Sequence, residues 1–545
     1  MEAQDLLDEF HRLKEDRRNF DDVWDEIAEN VLPHRIGFHR PEERGKRNDS
    51  LIYDGTPMSA LNMYAAGSQG YLLSASFKWF GLRVPEERLM GDRQARMWLS
   101  AVEQVLYGLI QRSNFYKQMF EMFRDGGAFG TATVYTYFDP VSQRSWFLNR
   151  HPKEIYVAED GNDEVDTVCR HYVMTNKQMA ENFKEDDDHL NKEILDNADK
   201  NSEKYDEIEV LHFVKPRPNW DAGKMDKKAK RWASVYVDVE HEEIIREGGY
   251  DVMPYGVWRV EKSSEEAYGR GPGWTALADI KGLYQYVKTD LNQSQLMINP
   301  PLDIPKERKG DIRYVPGGRN YYQDAARKVE IMPVSANIRV GLDREERKQK
   351  IIERTFMVDF FMMMAQADKE MTATEIRRRQ EEKAIMLGPH ITGLNQDVLD
   401  RIIDRLFRDA WDAGLLPPPP RVLAESGGHI EVDYMGPLAQ AQRAYFKTEP
   451  YRQTLGDIMG MAQMNPGILD NFNFDYIARE MAKGNGTPEE ALVEEKIVQK
   501  IRAARAQQQA QAAAAEKMKT MGQAVPGLNQ KVEEGSILES IGQAT

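Results

Sequence analysis

Residues 272–364 hold two long helical stretches separated by a segment that cannot be helical. The first, PGWTALADIKGLYQYVKTDLNQSQLMI (272–298), has Pro272 at its start, where a proline's missing N–H leaves no bond unmade. Asn299-Pro300-Pro301 ends it, because a residue preceding proline is pushed out of the helical region. At 1.5 Å per residue it spans about 40 Å. The second stretch, REERKQKIIERTFMVDFFMMM (344–364), is comparable. Between them, residues 300–340 are rich in proline and glycine, with short β-like pieces DIRYV and KVEIMPV. The pattern demands a helix–module–helix hairpin. Eight cations (Lys306, Arg308, Lys309, Arg313, Arg319, Arg327, Lys328, Arg339) outnumber five acids (Asp303, Glu307, Asp311, Asp324, Glu330) in that module. It is a basic island in a 545-residue chain whose 73 Lys/Arg and 89 Asp/Glu leave a net charge of −16.

The remainder reads as α+β, mainly α. Apolar residues recur at helical spacing over 21–33, 58–82 and 100–130, the last broken at Gly126-Gly127. The pattern then shifts. TATVYTYF (131–138), EIYVA (154–158), TVCRHYVM (167–174), IEVLHFV (208–214) and SVYVDVE (234–240) are short, β-branched and aromatic. They predict strands of an antiparallel or mixed sheet. The intervening KEDDDH cluster (184–189) lacks alternating ligand spacing and a turn glycine, so it predicts a solvated loop rather than a calcium site. After 364, AQADKE precedes a T-x-x-E capping box at Thr372 and Glu375. The helix it starts runs to Gly414 and the Pro417–Pro420 run. A second box, Thr487-Pro488-x-Glu490, opens a helix whose last third is Ala/Gln-rich. Beyond Met521 periodicity is lost, which predicts a mobile tail.

Composition and motifs exclude several classes. A pI near 5.3 argues against tight, non-specific DNA binding by the chain as a whole. One cysteine, Cys169, permits no internal disulfide and no CxxC zinc site. The N-terminus is charged from its second residue, unlike a signal peptide. The most apolar run, FMVDFFMMMA, is too short for a membrane span and contains Asp359. Folding in a reducing cytoplasm is expected. The chain has no G-x-x-x-x-G-K-[ST]; GGAFGTAT (126–133) lacks the lysine, and YGRGPGW (268–274) reads as a loop entering a helix. EHEEII (240–245) is not H-E-x-x-H, and no serine sits in G-x-S-x-G. No catalytic residue, cofactor or metal ligand is predicted.

Five stretches in order resemble the portal, or head-to-tail connector, proteins of short-tailed (podovirus-type) bacteriophages. They are residues 52–82, 113–132, 268–302, MTATEIRRRQEEKAIMLGP (371–389) and YMGPLAQAQRA (434–444). The resemblance implies a ring, typically of twelve subunits, around a DNA channel at the capsid vertex of the virion, assembled in the host cytoplasm. It implies a wing (1–271, with its β-rich part at 131–260), a stem of two helices (272–298 and 341–364) and a clip between them (299–340). It further implies a tunnel loop (365–372), a long wing helix with a following strand (373–435), a helical crown (436–520) and a tail (521–545). Gln366, Asp368, Lys369 and Glu370 would then lie at the DNA channel. Lys306, Arg308, Lys309, Arg313 and Arg319 of the clip would dock the terminase large subunit and then a tail adaptor. Leu283, Tyr286, Leu291, Phe356, Phe360 and Met363 would pack the stem and its neighbours. Major capsid and scaffolding proteins and passing double-stranded DNA complete the implied partners, with no membrane. A basic clip suits acidic partner proteins or exiting DNA. Two other classes compete: a ring-forming adaptor or scaffold without a DNA channel, and a packaging-motor enzyme, against which the missing Walker lysine counts.

Overall fold

The computed structural model describes residues 2–38, 50–76, 78–90, 92–183, 190–200, 203–221, 223–224, 226–304, 306, 319, 321, 330–331, 338–365, 393–426, 430–434, 449–462, 466–484, 491–493 and 495–523. The chain divides into two compact units, Met1–Phe446 and Lys447–Thr545.

The first unit begins with helix α1 (Ala3–Val31), followed by α2 (Thr56–Leu72), β1 (Phe80–Arg83), α3 (Glu87–Met90), α4 (Arg93–Gln111) and α5 (Phe115–Phe129). The β-rich part comprises β2 (Thr131–Asp139), β3 (Arg144–Arg150), β4 (Ile155–Glu159), β5 (Val165–Thr175), β6 (Glu207–Pro216), β7 (Trp232–Asp238), β8 (Glu243–Tyr250) and β9 (Tyr255–Arg259). Helices α6 (Asn176–Asn182) and α7 (Lys192–Asp199) interrupt it between β5 and β6. Two-residue strands β10 (Glu261–Lys262) and β11 (Gly269–Arg270) lead to α8 (Pro272–Ile298). Then come β12 (Leu302–Asp303), β13 (Glu330–Ile331), α9 (Ile338–Thr355), α10 (Val358–Ala365), a π-turn (Asn395–Leu399), α11 (Asp400–Asp412), α12 (Arg421–Ser426) and β14 (Glu431–Tyr434).

Strands β4-β5-β6-β7-β8 form an antiparallel meander and β3-β2-β9 a smaller antiparallel sheet. Period-two alternation gives the meander two buried faces. Leu211 and Phe213 of β6 meet Leu6, Phe10 and Leu13 of α1. Ile208 and Val210 point the other way, onto Met179 of α6 and Ile194 of α7. The second half of α1 enters the main core, where Trp24 donates to the Phe129 carbonyl at 2.9 Å. Arg17, 1 % exposed, pins α1 to the turn before β4 through the carbonyls of Pro152, Lys153 and Ile155 and an ion pair with Asp21.

Three helix expectations need correction. The helical stretch at 58–82 ends at Leu72, because Phe80–Arg83 pairs antiparallel with Glu431–Tyr434 from the far end of the unit. The stretch at 100–130 is two helices. It breaks at 112–114, where the Asn114 amide holds both backbone groups of Phe147. Gly126 and Gly127 do not break α5. A Cβ at Gly126 would sit 2.4 Å from the Trp258 ring, and one at Gly127 2.7 Å from Tyr64. These glycines permit close packing, and α5 ends at Gly130 in the left-handed conformation.

The second unit contains α13 (Glu449–Ala462), a 3-10 segment (Pro466–Asn471), α14 (Phe474–Gly484) and α15 (Glu495–Gln523). A bidentate Arg502–Asp475 pair at 2.5 and 2.7 Å ties α15 to α14. The C-terminal helix starts at Glu495, not at Pro488, since 491–493 is not α-helical; Thr487, Pro488 and Glu490 lie outside the described residues. All side chains from Gln499 to Glu516 are exposed.

Candidate functional site

Helices α8 and α9 run antiparallel. Lys348 pairs with Asp279 at 2.5 Å, and two turns further along α9 toward its start, Gly341 lies against Asp290. Their far ends are joined by the β12–β13 ladder, Leu302 opposite Ile331. The hairpin predicted from proline punctuation therefore forms, with α8 spanning the 272–298 expected of it.

The two ends of this hairpin differ. Near the core, Ala276, Leu277, Ile280, Leu283 and Tyr284 are buried, and Tyr284 donates to the Asn30 carbonyl at 2.7 Å. Lys281 pairs with Glu26 at 2.5 Å. Beyond Tyr284 no residue of α8 is buried. Leu291 is 50 % exposed and Ile298 83 %, with Leu296, Met297 and, on α9, Leu342 and Ile351 exposed as well. The exposed apolar side chains of α8 thus lie in its second half.

The Met/Phe run departs from expectation. The second helix is not continuous over 344–364. It breaks at Phe356-Met357, with Met357 in the left-handed region at φ 56°. On an unbroken helix Phe356 and Phe361 would point about 140° apart. The break lets both reach α2. Phe356 and Phe361 lie edge-on to Tyr64, and Phe361 stacks on Tyr71 at 6.0 Å. Gly67 makes room, since a Cβ there would be 2.2 Å from the Phe361 ring. The aromatic side chains of the run thus pack within their own chain.

The predicted site residues divide accordingly. Leu283 and Phe356 are buried in the core, Tyr286 and Phe360 are half-buried, and Leu291 is on the exposed end. Lys306 and Arg319 are exposed. Arg308, Lys309, Arg313, Gln366, Asp368, Lys369, Glu370, the Met363 side chain, the 184–189 cluster and the Thr372–Glu375 box lie outside the described residues.

No arrangement suited to metal binding by three or more His, Cys, Asp or Glu occurs among the described residues. His212 bonds Ser234 Oγ and Tyr255 Oη, each at 3.0 Å, and stacks on Tyr236 at 4.1 Å. Burial pushes its pKa down to about 3. Histidine and serine are 3 % and 4 % exposed, so this pair is closed to a substrate and serves as core. Asp125 is likewise buried, bonded by Asn149 at 2.6 Å and paired with Arg35 at 3.1 Å; desolvation raises its carboxyl to about 6. No helix among the described residues is long and apolar enough to cross a membrane.

A two-helix hairpin thus extends from an α+β core and bares apolar side chains on the second half of α8. The profile of the bacteriophage head-to-tail connecting proteins matches residues 3–493, and the chain belongs to that family. It is similar to a probable portal protein of Bordetella phage BPP-1, 31 % identical over 519 residues, covering 92 % of this chain and 91 % of the relative. It is also similar to the portal protein of Salmonella phage epsilon15, 29 % identical over 536 residues, covering 96 % and 94 %.

Proposed function

We propose that the chain is the subunit of a phage portal, a ring at one capsid vertex through which DNA enters and leaves. Likeness to two portal proteins along more than nine-tenths of each chain supports the reading. The observation that carries it is the exposed apolar far half of the α8–α9 pair. A ring requires a heterologous interface whose rotation closes, and long helices side by side supply one. In this reading α8 and α9 are the stem, 299–340 the clip, 365–372 the tunnel loop, 436–520 the crown, and 1–271 with 373–435 the wing. The protein is a structural component of the virion and does no chemistry. Lys306, Arg308, Lys309, Arg313 and Arg319 of the clip dock the terminase large subunit and later a tail adaptor, whose facing surfaces are acidic. Gln366, Asp368, Lys369 and Glu370 stand at the channel. The net charge of −16 suits a conduit, because a wall poor in phosphate-neutralising cations does not grip its cargo. Twelve subunits, capsid and scaffolding contacts and assembly in the host cytoplasm complete the proposal.

The test is Leu291→Asp combined with Ile298→Asp in the full chain. Both side chains are exposed, so the subunit should keep its fold by circular dichroism. Sedimentation should show the closed oligomer replaced by monomer. Unchanged oligomerisation would remove the helix pair from the interface.

A further inference from the structure

The strongest concentration of positive charge is not in the 300–340 module. Seven Lys/Arg against two Asp lie from Lys215 to Arg231, at the end of β6 and in the hairpin loop joining it to β7. Three of these cations are neutralised toward the body of the protein. Lys215 pairs with Glu9 at 2.6 Å, Arg217 with Glu247 at 2.7 Å and Lys230 with Asp251 at 2.8 Å. The other four, Lys224, Lys227, Lys228 and Arg231, are exposed. Lys224 pairs with Asp221 at 3.8 Å. Among the described residues no carboxylate lies within ion-pairing distance of Lys227, Lys228 or Arg231.

A chain with an excess of acids can neutralise its cations internally, and here the inner three are. Lys224, Lys227 and Lys228 stand outside that supply on a preformed frame, whereas Arg231, at the base of the loop, lines a recess with Asp160, Glu164, Asp166, Asp251 and Asp404. The Arg217 N–H donates to the Arg231 carbonyl at 2.8 Å and the Asp221 N–H to the Ala229 carbonyl at 2.9 Å. Asp226 caps the turn at the Lys228 N–H, 3.1 Å away. Gly249 of β8 lies beneath, where a Cβ would be 2.5 Å from the Lys227 carbonyl oxygen. A loop whose backbone is already formed loses little backbone freedom on binding. The protein's overall negative charge does not cancel them, since charges beyond about 10 Å are screened at 0.1 M salt.

We propose that this loop is a contact site for duplex DNA, with Lys224, Lys227 and Lys228 meeting backbone phosphates. It belongs to a different element from the proposed tunnel loop, and it rests on the portal reading only in taking DNA as the polyanion at hand. The test uses the full-length protein and a closed-circular DNA duplex, which cannot thread a ring. Binding is followed from 25 to 200 mM salt. The variant Lys224→Glu/Lys227→Glu/Lys228→Glu is compared with Arg12→Glu/Lys14→Glu/Lys117→Glu, which changes net charge equally at other exposed positions. The loop variant should bind at least tenfold more weakly than the control. Its log–log salt slope should fall by about three, the share of three phosphate contacts. Equal weakening in both variants, or no wild-type binding at the lowest salt, overturns the proposal. So does loss, in the loop variant, of binding to the virus's major capsid protein instead, which would make the partner an acidic protein. Imaging the same samples keeps the two readings apart: intact rings without a loop effect overturn this site alone, and absence of rings overturns the portal reading.

Discussion

Gly67 is a glycine because Phe361 occupies the place its side chain would take. Gly67→Ala puts a Cβ 2.2 Å from that ring, and overpacking of this kind costs about 1–3 kcal/mol. Urea unfolding should register the loss, and Phe361→Leu in the same chain should restore part of it. Independent, additive effects would contradict the contact. His212 offers a second test. Burial holds its folded pKa near 3, below the ordinary value of 6.5, so the unfolded chain takes up this proton first. The stability it supports is complete above pH 6.5 and drains as pH falls toward 3. Asp125 acts with the opposite sign. Its carboxyl is raised to about 6, so it favours the fold increasingly as pH drops from 6 toward 4. His212→Gln should therefore flatten the acid loss of stability measured between pH 6.5 and 4. An unchanged slope would place the titrating group elsewhere. At this scale the sequence marks apolar residues such as Leu283 and Phe356 as packing residues. It does not say whether their partners lie in the same chain. The 215–231 loop shows the same limit: its cations are visible, but Glu9, Glu247 and Asp251, which neutralise three of them, are distant or unremarkable in sequence.

Helices and strands were legible where their signals are local. Pro272 and Asn299-Pro300-Pro301 bracket α8 to the residue, because proline acts on its immediate neighbours. Five expected strands form, each within a few residues of its β-branched run. Elements set by distant partners were not legible. Strand β1 exists through its pairing with β14, and the 112–114 break through Asn114 holding β3. The α9–α10 break is the sharpest case, since FMVDFF carries no glycine or proline. It is imposed by two phenylalanines seeking one aromatic pocket on α2. A side chain in the left-handed region costs about 1–2 kcal/mol, most when β-branched. Met357→Gly should keep or raise the unfolding free energy, whereas Met357→Val should lower it by about 1–2 kcal/mol. Equal effects would contradict a left-handed turn there.

At the scale of the whole molecule, the α+β core and the helix hairpin divide two tasks. The core is closed by burial: α1 spans two clusters, with Arg17 locking it to the turn before β4. The far half of the hairpin bears exposed apolar side chains. Family membership over residues 3–493 agrees with that division. The measurement that bears most directly on the account is single-particle imaging of the purified full-length protein, classified by rotational symmetry. Closed rings of twelve or thirteen subunits are expected, with an open bore wide enough for duplex DNA. Filaments, or closed assemblies without a bore, would contradict the account.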